Sequence, residues 1–316
     1  EYPILLKNGL QYLPLYQFHI MNILIITNPV SGHKHGMNIA TQLITNIENK
    51  GGHYEHIILN NSGHAVEILK SKNILHFERI VVIGGDGTMH EVINGLMHRP
   101  DGFKLPVALL PAGSGNSLLH DLEATELEIA MKIALSNNKT KIDIAEITHQ
   151  DRSKNYGFNI IGCGFASIIN QNAENFRWIG TIRYDLFSLF EIIKNKSYNV
   201  QLKVDHHIYN EKYAMILACN TIHTGKGMMA APLAKLNDGL WDIIILRHCN
   251  RRTLIRLFKK IFSGKHVHDK NIIYLQTSQF ELFGDSSEML NIDGQVEGHS
   301  PCQVTILPRA IEIFTQ

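Results

Sequence analysis

The sequence predicts an α/β N-terminal domain with a mostly parallel sheet, followed by a mainly β C-terminal sandwich domain. Three observations point there. The chain has 316 residues, more than one hydrophobic core usually organises, so two domains are expected. Up to about residue 142, short apolar runs alternate with amphipathic helical stretches, the pattern of parallel strands covered on both faces. Beyond that point strand-like runs follow one another with few helices between them, as in antiparallel sheets.

In chain order, Met21 precedes a short apolar strand, Ile23–Ile26, that stops at Asn28-Pro29. Met37–Asn49 has helical spacing, with Ile39, Leu43, Ile44 and Ile47 on one face. His56–Leu59, Arg79–Ile83 and Val107–Leu110 read as further strands, and His64–Lys72, Met89–Met97 and Thr125–Ser136 as helices. In the second half Ile142–Ile147, Tyr156–Ile161, Ser197–Val204, Tyr213–Asn220, Trp241–Leu246, Ile272–Thr277 and Gln279–Phe283 read as strands. Helical patterns interrupt them near 172–194 and 250–263. The expected division is an extension over 1–20, an α/β domain over 21–142 joined by 303–316, and a β-sandwich over 143–302.

Composition narrows the classes. The chain is 44% apolar and 19% charged, with 30 basic against 29 acidic residues. That balance gives no whole-molecule attraction to nucleic acid. The four cysteines (Cys163, Cys219, Cys249, Cys302) form no CxxC pair, and the 18 histidines no HExxH. Reduced thiols in a cytoplasmic protein are expected, and no zinc site. No apolar run is long enough to span a bilayer. Residues 1–20 lack the layout of a signal peptide and read as an upstream extension, with the functional protein starting near Met21.

Three strand-to-helix turns are glycine-rich, and ligands bind at such turns in parallel sheets. Val81-Val82-Ile83 leads into Gly84-Gly85-Asp86-Gly87-Thr88 and then a helix. Glycines let backbone N–H groups approach a phosphate, and the helix start adds partial positive charge. Asp86 would repel phosphate, so it implies Mg²⁺ or water ordered by Mg²⁺; the plain alternative is a helix cap. Pro111-Ala112-Gly113-Ser114-Gly115-Asn116 and Asn28-Pro29-Val30-Ser31-Gly32 follow neighbouring strands and would form the other walls of one site. The absence of GxxxxGK[ST], and of HRD and DFG, argues against P-loop and protein-kinase mechanisms.

In order, NPVSG, GGDGTMHEVINGLMHRP, LPAGSGNSL, APLAKLNDGLWD and NIDG resemble the motifs of the diacylglycerol-kinase catalytic-domain superfamily of lipid kinases. The likeness runs from Met21 to Phe314 and is greatest to sphingosine kinases, including the stretch Gly164-Phe165 through Asn175–Gly180 to Arg183-Tyr184. It implies a three-layer N-terminal domain related to NAD kinases and phosphofructokinases, a β-sandwich, and a cleft between them. It implies ATP and Mg²⁺ as cofactors and a lipid hydroxyl as acceptor, with sphingosine-kinase-like or diacylglycerol-kinase activity. Nucleotide contacts would come from Asn28, Pro29, Val30, Ser31, Gly32, Asn60, Gly84 to Thr88, Met89, His90, Ser114, Arg177 and Arg183. Asn170, Tyr184 and Ser188 would face the acceptor. Asp238, with the carbonyls of Lys235 and Leu240, would hold a structural Mg²⁺, though Asn-Asp-Gly reads equally as a hairpin turn. A homodimer is a further implication.

Transfer needs in-line positioning, charge neutralisation and a place for the hydroxyl proton. Asp86 is assigned to the Mg·ATP and proton network, and Asp293 to the general-base side, with a hairpin-turn aspartate as the plain alternative for Asp293. Two departures stand out. Gln295 occupies the family's Asp-Gly-Glu glutamate position and cannot take a proton; it raises a pseudokinase alternative, with Glu297 as a substitute carboxylate through a shifted turn. Asn170 stands where sphingosine kinases carry an acidic residue. Residues 172–194 present an apolar face suited to core packing or an acyl pocket. Residues 247–265 combine seven cations with six apolar side chains, either a solvated crossover or a helix resting on a membrane surface.

Overall fold

The computed structural model describes residues 3–6, 9–12, 21–31, 35–113, 115–164, 194, 196–198, 200–225, 227–284 and 289–316. Among the described residues, six α-helices and two main sheets position the site. The helices are α1 (Gly36–Asn49), α2 (His64–Ser71), α3 (Asp86–Met97), α4 (Ser117–Asp121), α5 (Leu127–Ala134) and α6 (Arg251–Ile261).

The N-terminal strands are β1 (Asn22–Thr27), β2 (His53–Ile58), β3 (Arg79–Gly84) and β4 (Val107–Pro111). They pair in parallel in the order β2-β1-β3-β4. Ile23 to Ile26 and Ile80 to Ile83 are wholly buried, because helices cover the sheet. Each strand delivers its C-terminal end to the same edge, where the glycine turns begin.

The remaining strands are β5 (Lys139–His149), β6 (Lys154–Gly157), β7 (Ile160–Gly164), β8 (Gln201–Val204), β9 (His207–Tyr209), β10 (Tyr213–Cys219), β11 (Trp241–Arg247), β12 (Ile272–Thr277), β13 (Gln279–Phe283), β14 (Met289–Ile292), β15 (Gln295–His299) and β16 (Cys302–Phe314). Long β16 joins the halves. It pairs antiparallel with β5 along most of its length, and Ile313 meets Val107 of β4 in parallel. One ten-stranded sheet therefore runs β9-β8-β13-β16-β4-β3-β1-β2, with β5 attached at β16 and β6 at β5. The second sheet, β12-β11-β10-β7-β14-β15, is antiparallel and packs on β5, β8, β13 and β16 through Ile161, Tyr213, Trp241, Ile243, Phe280 and Val304. The fold class is thus the expected α/β domain followed by a mainly β sandwich.

Several boundaries differ from the sequence reading. The helix expected from Met89 begins at Asp86, so the glycine turn forms its first turn. Buried Met89, Val92, Ile93 and Leu96 supply its inward face. The single strand expected over Tyr156–Ile161 is two, β6 and β7, because the N–H groups of Phe158, Asn159 and Ile160 turn away to a carboxylate. The helix expected over Thr125–Ser136 is shorter, and the strand at Ser197–Val204 is regular only over β8. Backbone segments 3–6 and 9–12 pair as an antiparallel hairpin. The apolar stretch 172–194 falls outside the described residues apart from Lys194.

Candidate active site

The three turns converge. Asn28, just past β1, donates from Nδ2 to Thr88 Oγ1 at 3.1 Å, and its own N–H donates to Ile83 O at 3.0 Å. Ala112 N–H donates to Gly84 O at 3.0 Å. A Cβ on Gly113 would collide with the backbone of Gly85, and one on Gly84 would lie 2.5 Å from the Thr88 side chain. These glycines are needed because backbone packs on backbone. Gly113→Ala is expected to cost about 1–3 kcal/mol by overpacking and to weaken nucleotide binding. Thermal unfolding and nucleotide titration of the variant check both.

Asp86 opens α3 beside these walls. Its carboxylate accepts from Ser117 N–H at 3.0 and 3.1 Å and from Ser117 Oγ at 3.1 Å. Gly225 N–H donates to the same hydroxyl at 3.0 Å. Burial raises the Asp86 pKa, the Ser117 hydrogen bonds oppose it, and the charge of Asp293 adds to the rise; the result is about 6.

One turn along α3, His90 is 4% exposed. Its Nδ1 lies 2.9 Å from Asp293 Oδ2 and its Nε2 2.6 Å from Glu297 Oε1. Burial disfavours the charged ring, but hydrogen bonds to Asp293 and Glu297, and their charges, outweigh it and lift the pKa to about 10. The ring is an imidazolium tying α3 to the β14–β15 hairpin. Buried Asn94, one turn further, donates to Tyr156 O at 2.7 Å and accepts from Tyr156 N–H at 2.9 Å, so β6 is fixed to the same helix.

Asp293 is 2% exposed at the hairpin turn. Its carboxylate accepts from Phe158 N–H at 3.0 Å, Asn159 N–H at 2.8 Å, Ile160 N–H at 2.9 Å and His90 Nδ1. The general-base role expected of Asp293 conflicts with this geometry. A buried carboxylate already holding four donors locks the hairpin, and has no direction left for a substrate proton.

Other expected residues separate in the same way. The Met89 side chain is wholly buried in the core, and both His90 ring nitrogens are engaged, so neither side chain is presented to a nucleotide. Pro29 is half-buried, Val30 is 64% exposed, and Ser31 N–H donates to Asn28 O at 3.3 Å. Exposed Asn60 lies two residues beyond β2, with its N–H donating to His64 Nδ1 at 3.2 Å. Gln295 reaches the glycine turn: a Cβ on Gly87 would collide with its amide. Gly32, Ser114, Asn170, Arg177, Arg183, Tyr184 and Ser188 lie outside the described residues.

In the Lys235–Leu240 loop, Asp238 Oδ1 accepts from Leu240 N–H at 3.1 Å. Beside it, Gly239 N–H donates to buried Asp143 at 2.6 Å. Burial first, and Asp238 among the opposing and adding charges, raises the pKa of both Asp143 and Asp242. No cluster of three His, Cys, Asp or Glu side chains able to hold a metal occurs among the described residues. The loop has one exposed carboxylate and backbone carbonyls, a donor set of oxygens only, which suits Mg²⁺ rather than zinc.

Sequence reasoning passed over Ser117, Asn94 and the Phe158–Ile160 backbone. Ser117 follows directly on the third glycine turn and could have been suspected as that helix's first residue. The Phe158–Ile160 contacts carry no sequence signal, since they are main-chain groups.

Known proteins agree with this architecture. Residues 22–147 match the diacylglycerol kinase catalytic domain family, and residues 159–315 the YegS C-terminal NAD kinase beta sandwich-like domain. Sphingosine kinase 2 of Arabidopsis thaliana is 26% identical over 87% of this chain and 68% of its own length; sphingosine kinase 1 of that plant is 27% identical, with 59% of its length spanned. The diacylglycerol kinase of Bacillus subtilis is 26% identical over 92% of this chain and 94% of its own. A putative diacylglycerol kinase structure from Bacillus anthracis shares the fold, with a TM-score of 0.77 at 20% identity over 94% of this chain and 97% of that one. Two matched domains in this order, with glycine turns at the strand ends, define a lipid-kinase class. The chain belongs to the diacylglycerol-kinase catalytic-domain superfamily. The pseudokinase reading raised by Gln295 finds no support among these relatives.

Proposed function

We propose that this chain transfers the γ-phosphoryl group of Mg·ATP to the hydroxyl of a membrane-borne lipid. The observation that carries this is Asp86, set where three glycine turns meet and with a pKa raised to about 6. A carboxylate poised near neutrality, at a helix start that favours phosphate, suits proton removal from an attacking hydroxyl. The backbone N–H groups of Gly84 to Thr88 hold the phosphates, and Asn28 steadies Thr88. Asp86 is the carboxylate that would hold Mg²⁺ brought by the nucleotide, and the bound ion would neutralise phosphate charge. The acceptor oxygen forms its bond to Pγ as the bond from Pγ to the β-phosphate oxygen breaks. The hydroxyl proton passes to Asp86, and ADP leaves with the bonding electron pair. A second Mg²⁺ in the Asp238 loop, with carbonyls of Lys235 and Leu240, is a structural proposal.

A sphingoid base is the first acceptor candidate, from the long GGDGTMHEVINGLMHRP likeness. Diacylglycerol is the second: Asn170 offers no charge to a sphingoid amine, and the Bacillus subtilis enzyme aligns over nearly its full length. Purified protein with Mg·ATP and separate sphingosine, diacylglycerol, ceramide and NAD tests the reading. Transfer to one lipid and none to NAD is expected. Transfer to NAD alone, or to no lipid while ATP binds, would refute it.

A further inference from the structure

We infer that α6 is a membrane-docking face that seats this protein on anionic bilayers. The inference rests on the lipid-kinase reading for its purpose, but not for its geometry. Leu254 and Leu257 are buried with Ala214 and Leu246, which fixes the inward side of the helix. At 100° per residue the outward arc then holds Arg251, Arg252, Ile255, Arg256, Lys259 and Phe262. Ile255 is 41% and Phe262 46% exposed, and the Phe258 ring stands edge-on to Phe262. Leu233, 63% exposed, follows Pro232, which packs against Gly264 two residues beyond Phe262. Exposed apolar side chains thus sit at the centre of a cationic surface.

The charge pattern calls for an external anion. No acidic residue occurs between Leu246 and Asp269. Arg256 pairs with Asp269 at 2.9 Å and Arg247 with Glu211 at 2.8 Å. Arg252, Lys259, Lys260 and Lys265 have no carboxylate partner among the described residues. Lys259 and Lys260 in the last turn favour the helix dipole, but Arg251 and Arg252 in the first turn oppose it. Helix stability explains the lysines and leaves Arg252 unexplained. Asn250 caps the helix by accepting from Thr253 N–H at 3.0 Å, so the arginines are tolerated.

Charge complementarity together with exposed Ile and Phe selects a bilayer carrying anionic lipid over a purely polyanionic partner. The position agrees. Gly164, the last described residue before 165–193, abuts Ala214, the residue against which α6 packs. β7 therefore ends beside the strand that α6 covers.

Sedimentation of the full chain with vesicles, without ATP, tests docking apart from catalysis. Binding is expected to phosphatidylcholine vesicles containing about 30 mol% phosphatidylglycerol, and to be weak on phosphatidylcholine alone. Arg252→Glu with Lys259→Glu should lower partitioning by about tenfold or more. Ile255→Ser with Phe262→Ser should lower it by roughly tenfold, at unchanged charge and unfolding temperature. Leu233→Ser, on another segment, provides the same test should the helix pair prove unstable. Transfer to a lipid in neutral detergent micelles should remain at the native rate in all of these, while transfer on vesicles falls. Unchanged partitioning in both double variants would overturn the proposal. So would loss with the charge reversals alone, which marks a general polyanion patch.

Discussion

Asp86→Asn is expected to lower phosphoryl transfer by about a thousandfold or more while leaving the protein folded and able to bind nucleotide. The amide keeps the shape, can still accept from Ser117 N–H and can donate to Ser117 Oγ, so the α3–α4 junction survives. It loses the proton acceptor. In the native protein the rate should rise with pH through about 6, as Asp86 ionises. Stability should move the other way. Burial raises the folded pKa above the unfolded 3.8, so the ionised carboxylate costs stability above pH 6, and that cost is absent below about pH 4. Removing the charge should therefore leave the unfolding temperature at pH 7 equal or higher. Rates over pH 5 to 8, with calorimetric ATP binding, decide. A variant within tenfold of native would refute Asp86 as the base, and a variant that unfolds would leave a structural role as the explanation.

The parallel half of the fold was legible because its signals are local. Ile23–Ile26 and Arg79–Ile83 are uninterrupted apolar runs, and the turns after them carry glycines whose spacing alone implies close backbone approach. The sandwich was harder. β14 and β15 are short and interrupted by Asp293, at φ 52°, and Gly294, at φ 91°. In NIDGQVEGH only the Asp-Gly pair signals a hairpin; the flanking runs are too short and polar to read as strands. The site was read in the same uneven way. Asp86 could be placed at the strand-to-helix turn from its neighbours in sequence, since that turn is built locally. Asp293 could not, because its partners, Phe158 to Ile160, are 133 to 135 residues away and contribute only backbone. A carboxylate beside a glycine turn reads from sequence as a base, whereas the donors around Asp293 make it an anchor between chain segments. Gln295 misled for a related reason: its neighbour Glu297 supplies a charge, but it directs that charge inward to His90, whereas the Gln295 amide faces Gly87.

The anchoring role of Asp293 has a consequence that separates it from catalysis. Asp293→Ala would strand three buried N–H groups and leave His90 with Glu297 alone. Breaking a buried charged network from one side costs about 3–5 kcal/mol, which for a chain of this size corresponds to roughly ten degrees in Tm. Asp293→Asn should be nearly as harmful. Its oxygen can serve Asn159 and Ile160, but its NH₂ would face the N–H of Phe158 and the Nδ1–H of His90, donor against donor. A carboxylate acting only as a base would instead yield an inactive asparagine variant of native stability. The imidazolium adds a pH signature. His90 has its folded pKa raised from 6.5 to about 10, so the stability it contributes is complete below pH 6.5 and drains away as pH rises towards 10. Urea midpoints at pH 7 and pH 9.5 should fall in the native protein and fall less in Asp293→Asn, which has already lost part of the bridge. Equal losses in both would show that His90 holds its charge without Asp293 and would remove the bridge as the link between α3 and the hairpin.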